Sequence, residues 1–238
     1  MSEQNINFKY NRNYEKAKQK ILKKNGTTIS QILNKISPGS SVLEFGASTG
    51  YMTRFMQEEL NCEVSIIEFD NEAGEFASKY SVNTFIGDIE DYGWEEKFKG
   101  HTFDYILFAD VLEHLKDPLQ VLKRSACFLN PHGNVIISLP NLGYNGVLAD
   151  LWLDRFNYRE LGLLDSTHVR FFSYESAKEL ITQSGLYLKS INFKKVKLKK
   201  SEFKKGWDSL PLLIKLLLKL RPKGLVYQFI IEAEYIKG

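Results

Sequence analysis

Val42-Leu43-Glu44-Phe45-Gly46-Ala47-Ser48-Thr49-Gly50-Tyr51 decides the fold. A short apolar run carrying one acid meets two glycines parted by three small residues, and a helix-like stretch, Met52–Leu60, follows at once. That pattern predicts a strand, a tight turn and a helix start. Glycine at 46 and 50 permits backbone angles closed to other residues and is expected to leave room for a ligand against the main chain. The turn is therefore a candidate small-molecule cradle.

Which ligand it takes depends on the spacing. A dinucleotide turn reads Gly-x-Gly-x-x-Gly so that amides and a helix N-terminus meet a pyrophosphate, and here Ser48 stands where the second glycine belongs. A phosphate-binding P-loop needs Gly-Lys-Ser/Thr, and no lysine follows Gly50.

Glu44-x-Gly46-x-x-x-Gly50 resembles the first motif of the class I S-adenosylmethionine-dependent methyltransferases. The resemblance implies a turn passing beside the methionine part of that cofactor, with Glu44, Gly46, Ala47, Gly50 and Tyr51 in the binding set. Such a ligand brings a sulfonium and an ammonium but no phosphate, and an acid such as Glu44 suits a cation.

Further strands follow in the order this family requires. Glu63–Phe69 has a continuous apolar centre suited to a parallel strand buried on both faces, and it ends in Glu68-Phe69-Asp70. An acid there can accept bonds from both ribose hydroxyls, so Glu68 is expected in the cofactor site, while Asp70 caps a helix over Asn71–Tyr80. Asn83–Gly87 reads as the third strand. The resemblance then puts Asp88 on the adenine amino group and packs Ile89 on the ring. Phe103–Phe108 is the fourth strand, running into Asp110-Val111-Leu112-Glu113-His114-Leu115-Lys116-Asp117-Pro118. This resembles the D-x-L-E-H-x-x-D-P block of many small-molecule methyltransferases and adds Asp110 to the cofactor set. Asp117 and Pro118 predict a helix start, continuing to residue 129, with Asn130–Gly133 closing it and Gly133–Leu139 as the fifth strand.

Alternating strands and helices with polar residues at successive strand ends specify an α/β doubly wound sheet with its ligand crevice at those ends. Leu186–Leu198 and Leu225–Ile236 complete seven strands, mostly parallel with an antiparallel last strand, and helices cover both faces. The whole chain, 1–238, reads as one domain with an N-terminal helical segment (1–40), a cofactor-binding core (41–140), a substrate loop region (141–172) and a basic insertion (199–224). Tyr14–Lys24 and Thr28–Ile36 are the N-terminal helices, Thr27 caps the second, and Phe8, Tyr10 and Tyr14 form an aromatic cluster that either packs on the domain or lids the cofactor.

Acceptor chemistry belongs to the loop region. Gly162-Leu163-Leu164-Asp165-Ser166-Thr167-His168-Val169-Arg170-Phe171-Phe172 resembles a pattern of methyltransferases associated with bacterial saccharide and cell-surface pathways. His168 titrates nearest neutrality and is the candidate general base, with Asp165 orienting it and Arg170 holding an acidic or hydroxylated acceptor. The competing expectation is a polar network that fixes the loop. His114 is a second candidate. Glu113 and His114 alone are poor metal ligands, so no metal is expected.

Composition narrows the classes. A hydrophobic fraction of 43% and an aromatic fraction of 13% suit a globular core. Cys62 and Cys127 stand in no ligand spacing, and the opening residues lack the basic and apolar run of a secretory signal, so a reduced, cytoplasmic protein is expected. The net charge of +3 is uneven: Lys189–Lys223 holds twelve Lys/Arg against Glu202 and Asp208, leaving 20 basic and 27 acidic residues elsewhere. Within that segment Leu210–Arg221 is too short to span a bilayer. Residues 194–223 are expected either to make a peripheral contact at the inner face of a membrane or to dock on the domain or on a homodimer partner. No nucleic-acid reading module is present, so an RNA substrate would rest on charge alone.

The expected function is O-methylation of a saccharide or lipid-linked saccharide with S-adenosyl-L-methionine. A quinone-like or other lipid acceptor is the alternative within the enzyme class. A membrane-associated binding or scaffold protein keeping the fold without transfer is the alternative outside it.

Overall fold

The computed structural model describes residues 14–22 and 26–235; Phe8, Tyr10 and Ile236, singled out in the sequence, lie outside them. Seven strands form one sheet in the order β3-β2-β1-β4-β5-β7-β6. In chain order these are β1 (Ser41–Phe45), β2 (Glu63–Glu68), β3 (Asn83–Ile86), β4 (Phe103–Ala109), β5 (Leu129–Pro140), β6 (Tyr187–Lys195) and β7 (Val226–Glu234). The first five are parallel, and β7 inserts between β5 and β6, antiparallel to both.

Side-chain alternation along these strands builds a core on each face. Leu43, Phe45, Ile67, Ile106, Phe108, Ile137 and Ile231 point into one cluster, with Trp94, Val121, Leu122 and Ile181 packed over them. Val42, Ile66, Leu107, Ile136 and Ile230 point the other way, beneath Ile21, Ile32, Leu33, Phe55 and Met56. The covering helices are α1 (Tyr14–Leu22), α2 (Thr28–Leu33), α3 (Tyr51–Leu60) and α4 (Asn71–Ala77) on the second face. On the first lie α5 (Gly93–Lys97), α6 (Pro118–Ala126) and α8 (Tyr174–Gln183).

Caps anticipated from sequence form as expected. Thr27 Oγ1 accepts the Ser30 amide at 3.1 Å, Asp70 Oδ1 that of Ala73 at 2.9 Å, and Asp117 Oδ1 that of Gln120 at 3.0 Å. One boundary differs. The helix expected to reach residue 129 stops at Ala126, and Leu129 already pairs with Phe103 across a register shift. Asn130–Gly133 is therefore the irregular first part of β5, with His132 at φ +62°, and not a closing loop.

A third cluster lies beyond β5. Here α7 (Asn145–Trp152), residues 163–171, α9 (Lys204–Ser209) and α10 (Leu212–Lys219) gather around Tyr144, Val147, Leu163, Leu164, Phe203 and Trp207. The basic insertion is thus folded and forms a lobe with the substrate loop region. Among the described residues no helix is long and apolar enough to cross a membrane.

Candidate active site

Winding runs outward from β1 through β2 to β3 and resumes from β4 through β5 on the other side. The chain therefore leaves a crevice above the C-terminal ends of β1 and β4, where ligands of such sheets sit. Glu68, Asp88 and Asp110 stand at the ends of β2, β3 and β4 around that crevice.

The turn after β1 is tightly held. The amides of Gly46 and Ala47 donate to Ile67 O at 2.8 and 3.4 Å, and Gly50 N donates to Ala47 O at 2.9 Å. Gly46, Ser48 and Gly50 have φ of +72°, +51° and +71°. The expected backbone freedom of the two glycines is therefore used, but the expected room for a ligand is not what their missing side chains leave. A Cβ on Gly46 would lie 2.6 Å from Val111 Cγ2, and one on Gly50 would lie 2.8 Å from Ala77 Cα. Protein, not ligand space, occupies the volume that the missing side chains leave.

Glu68 fastens this turn. Its Oε2 accepts the Ser48 amide at 2.6 Å, and Oε1 accepts those of Phe69 and Asp70 at 3.0 Å each. Two carboxylate oxygens offer about four lone-pair sites, so three protein bonds leave one for a ribose hydroxyl. Binding both hydroxyls requires exchange with a turn amide.

Glu44 lies on the α3 face of β1, fully buried, with Oε2 accepting Thr53 Oγ1 at 2.6 Å and Oε1 without a hydrogen-bond partner. Burial, against the opposing Thr53 bond, pushes its carboxyl up to about 8. The unfolded chain releases this proton near the ordinary value of 4.5, so stability falls as pH rises from there to about 8. Glu44→Gln should flatten that part of the profile. Urea unfolding of cofactor-free protein between pH 5 and 8 is expected to show a wild-type loss steeper by up to about 1.4 kcal/mol per pH unit. Parallel profiles would contradict the assignment.

Asp88 caps the turn Ile89–Asp91, its Oδ1 accepting the Glu90 amide at 2.8 Å, and Ile89 is buried. Asp110, at φ +57°, donates its amide to Ser138 Oγ at 3.0 Å and accepts from that hydroxyl at 2.6 Å. Asp110 Oδ1 also accepts from Gln228 Nε2, and Thr28 Oγ1 donates to Gln228 Oε1 at 2.5 Å. The first turn of α2 is thereby tied to the crevice through β7. Ala47 is buried and Tyr51 opens α3.

The acceptor side is organised around Glu113. Val169 and Arg170 amides donate to Glu113 O at 2.9 and 3.0 Å, and His114 Nδ1 lies 3.1 Å from Thr167 O. Arg170 directs Nε, at 3.0 Å, and an Nη to Lys116 O, so these donors brace the loop where the sequence suggested an acceptor clamp. Asp165 Oδ1 accepts the amide and hydroxyl of Thr167 at 2.9 and 2.7 Å. His168 Nδ1 lies 3.2 Å from Leu163 O, and the His168 amide donates to Asp165 O at 3.0 Å, so two backbone carbonyls hold the histidine.

The Leu163 carbonyl can only accept a hydrogen bond, which places the hydrogen on Nδ1 and makes Nε2 the basic nitrogen. Nε2 lies 4.0 Å from Glu113 Oε1. Burial, and next the neighbouring His114 ring 4.8 Å away, holds His168 below the usual histidine value. Glu113 is buried, Oε2 lacks a partner, and desolvation raises its carboxyl well above the usual range. Nothing in the sequence signalled this pairing across 55 residues. The third neighbour also revises the view of Glu113 and His114 as an isolated pair: with His168, one ligand atom from each lies within 4.8 Å of the others, a spacing that could hold a metal ion.

A family model described as a methyltransferase domain matches residues 10–191. The chain belongs to the class I S-adenosylmethionine-dependent methyltransferase family. A SAM-dependent methyltransferase from Archaeoglobus fulgidus superimposes with TM-score 0.61 at 16% identity, covering 94% of this chain and 100% of its own. The ubiquinone biosynthesis O-methyltransferase of Xanthomonas campestris pv. campestris is 27% identical over 110 residues, and that of Vibrio parahaemolyticus 28% over 109. These alignments cover 44% and 43% of this chain and 44% and 45% of the relatives, so the matched part spans less than half of their length.

The family's cofactor is S-adenosyl-L-methionine, and the donor set fits it. Acids end β2, β3 and β4, which flank β1 on its two sides, and the buried, partnerless oxygen of Glu44 lies on β1 itself. Such a set suits hydroxyl, amino and cationic groups and repels a phosphate.

Proposed function

We propose that this methyltransferase-family protein acts on a hydroxyl of a saccharide or lipid-linked saccharide. S-adenosyl-L-methionine, when bound, supplies an electrophilic methyl group on a sulfonium. Glu68 and Asp88 would hold its nucleoside. The chain's remaining task is to place the acceptor beside that methyl and accept the hydroxyl proton.

His168 carries this reading. Its Nδ1 is fixed by Leu163 O, its ring is held neutral, and Phe171 lies 6.4 Å from it in an aromatic group with Phe156 and Tyr158. Phe156 and Tyr158 are 39% and 56% exposed, enough to offer ring faces to the C–H face of a sugar. A quinone-like acceptor is the second reading, favoured by the two ubiquinone-pathway relatives and served equally by an aromatic shelf.

Cofactor labelled in its methyl group, offered with the protein to fractionated native extracts, separates these readings. Label is expected in glycan or lipid-linked glycan fractions; label confined to a quinone fraction selects the second reading, and none in any fraction overturns both. His168→Ala should lower labelling by roughly 100-fold or more while cofactor binding is retained. The wild-type rate should fall on the acid side only below the usual histidine value of 6.5. Full activity in His168→Ala would remove His168 as the base.

A further inference from the structure

Beyond the methyl-transfer reading, and independent of it, stands the surface of α10. Ile214 and Leu218 pack against the lobe core, while Leu212, Leu213, Leu216, Leu217 and Leu220 are 71%, 66%, 51%, 54% and 79% exposed. At 100° per residue the five exposed leucines form one continuous stripe centred roughly opposite Ile214 and Leu218. Lys215 and Lys219 border it on one side. One face of the helix is thus docked on the lobe and the opposite face is uncovered.

The helix is not a loose tail. Asn145 Nδ2 donates to Leu218 O at 2.8 Å, and Arg221 Nη1 donates to Gly143 O and Asn145 Oδ1, both at 2.8 Å. Asn145 N donates to Gly224 O at 2.9 Å. These bonds fix α10 to the segment leaving the C-terminal end of β5, on the acceptor side of the crevice.

We infer that α10 docks the protein on an anionic lipid bilayer, leucine stripe inward. Contiguous exposed leucines of this kind mark an interaction surface. Charge decides the occupant. Residues 189–223 carry twelve basic and two acidic side chains, whereas the rest of the chain has an acidic excess. Lys195, Lys197, Lys199, Lys200, Lys205 and Lys219 are exposed. A second copy packed stripe to stripe would set this basic segment against itself. A nucleic acid would answer the lysines and leave the leucines in water. Anionic headgroups over acyl chains answer both.

Vesicle sedimentation of the full chain tests this. Binding to phosphatidylcholine vesicles containing about one third phosphatidylglycerol is expected, at least tenfold tighter than to phosphatidylcholine alone. The double variant Leu213→Glu/Leu217→Glu should lose at least tenfold in vesicle affinity; should it fail to match the wild-type thermal melt, Leu213→Ser/Leu217→Ser takes its place. S-adenosylhomocysteine affinity should be unchanged in either, which separates failure here from failure of the methyltransferase reading. Three results would overturn the proposal: wild type remaining in the supernatant with anionic vesicles, leucine variants binding as tightly as wild type, or a wild-type dimer that the leucine variants dissociate.

Discussion

Gly50→Ala should destabilise the protein by about 2–5 kcal/mol, against about 1–2 kcal/mol for Gly39→Ala. Both glycines sit in the left-handed region, at φ +71° and +77°. An L-residue there costs about 1–2 kcal/mol wherever it occurs. Their surroundings differ. Nothing lies within 4 Å of a Cβ built on Gly39, whereas one on Gly50 meets the Ala77 Cα and Cβ at 2.8 Å. Those atoms belong to the end of α4 and cannot swing aside as a side-chain tip would. Overpacking of this kind adds about 1–3 kcal/mol. Urea midpoints of the two variants measure the difference directly. Equal losses would mean that α4 shifts freely against the start of α3, and that the glycine answers to backbone angle alone. The total loss is a large fraction of an ordinary domain's 5–15 kcal/mol, so Gly50→Ala should also lower expression.

Glu68→Ala should damage both stability and cofactor binding. The carboxylate is 8% exposed and bonds the amides of Ser48, Phe69 and Asp70. Bonds to a charged acceptor contribute about 1.5–3 kcal/mol each when their loss strands a buried donor, and water can reach part of this site. A net loss of about 2–4 kcal/mol is expected. Because Ser48 lies within the turn, losing its bond frees the turn as well as removing the ribose acceptor. Affinity for S-adenosylhomocysteine should therefore fall by more than tenfold, or about 1.4 kcal/mol. Glu68→Gln, which keeps one acceptor oxygen, should lie between. Calorimetric titration of the three proteins, with urea unfolding alongside, resolves the two effects. Unchanged affinity in Glu68→Ala would exclude Glu68 from the site.

Much of the fold was legible because its signals are local. The parallel strands are short apolar runs, three of them ending in Glu68, Asp88 and Asp110, and each of the caps Thr27, Asp70 and Asp117 is decided within three residues. Where partners are distant, the reading failed or stopped. Phe128 and Leu129 look like the end of α6, and only the pairing of Leu129 with Phe103 turns that stretch into strand. Arg170 stands open between an acceptor clamp and a loop brace until Lys116 O, 54 residues away, is seen to take Nε and one Nη. Glu113 reads as half of an isolated pair until the loop carries His168 to it. The glycines were identified correctly but for an incomplete reason, since Val111 and Ala77 are remote in sequence. The leucines of α10 could not be apportioned between docked and exposed faces without knowing which side meets Tyr144 and Phe203.

Calorimetric titration of S-adenosylhomocysteine into the wild-type chain tests the central claim most directly. A single site per chain is predicted, saturating well below millimolar ligand and unaffected by millimolar phosphate, since three strand-end acids and no phosphate cradle define the crevice. No saturable binding by folded protein at millimolar ligand, or competition by phosphate at the same site, would contradict it.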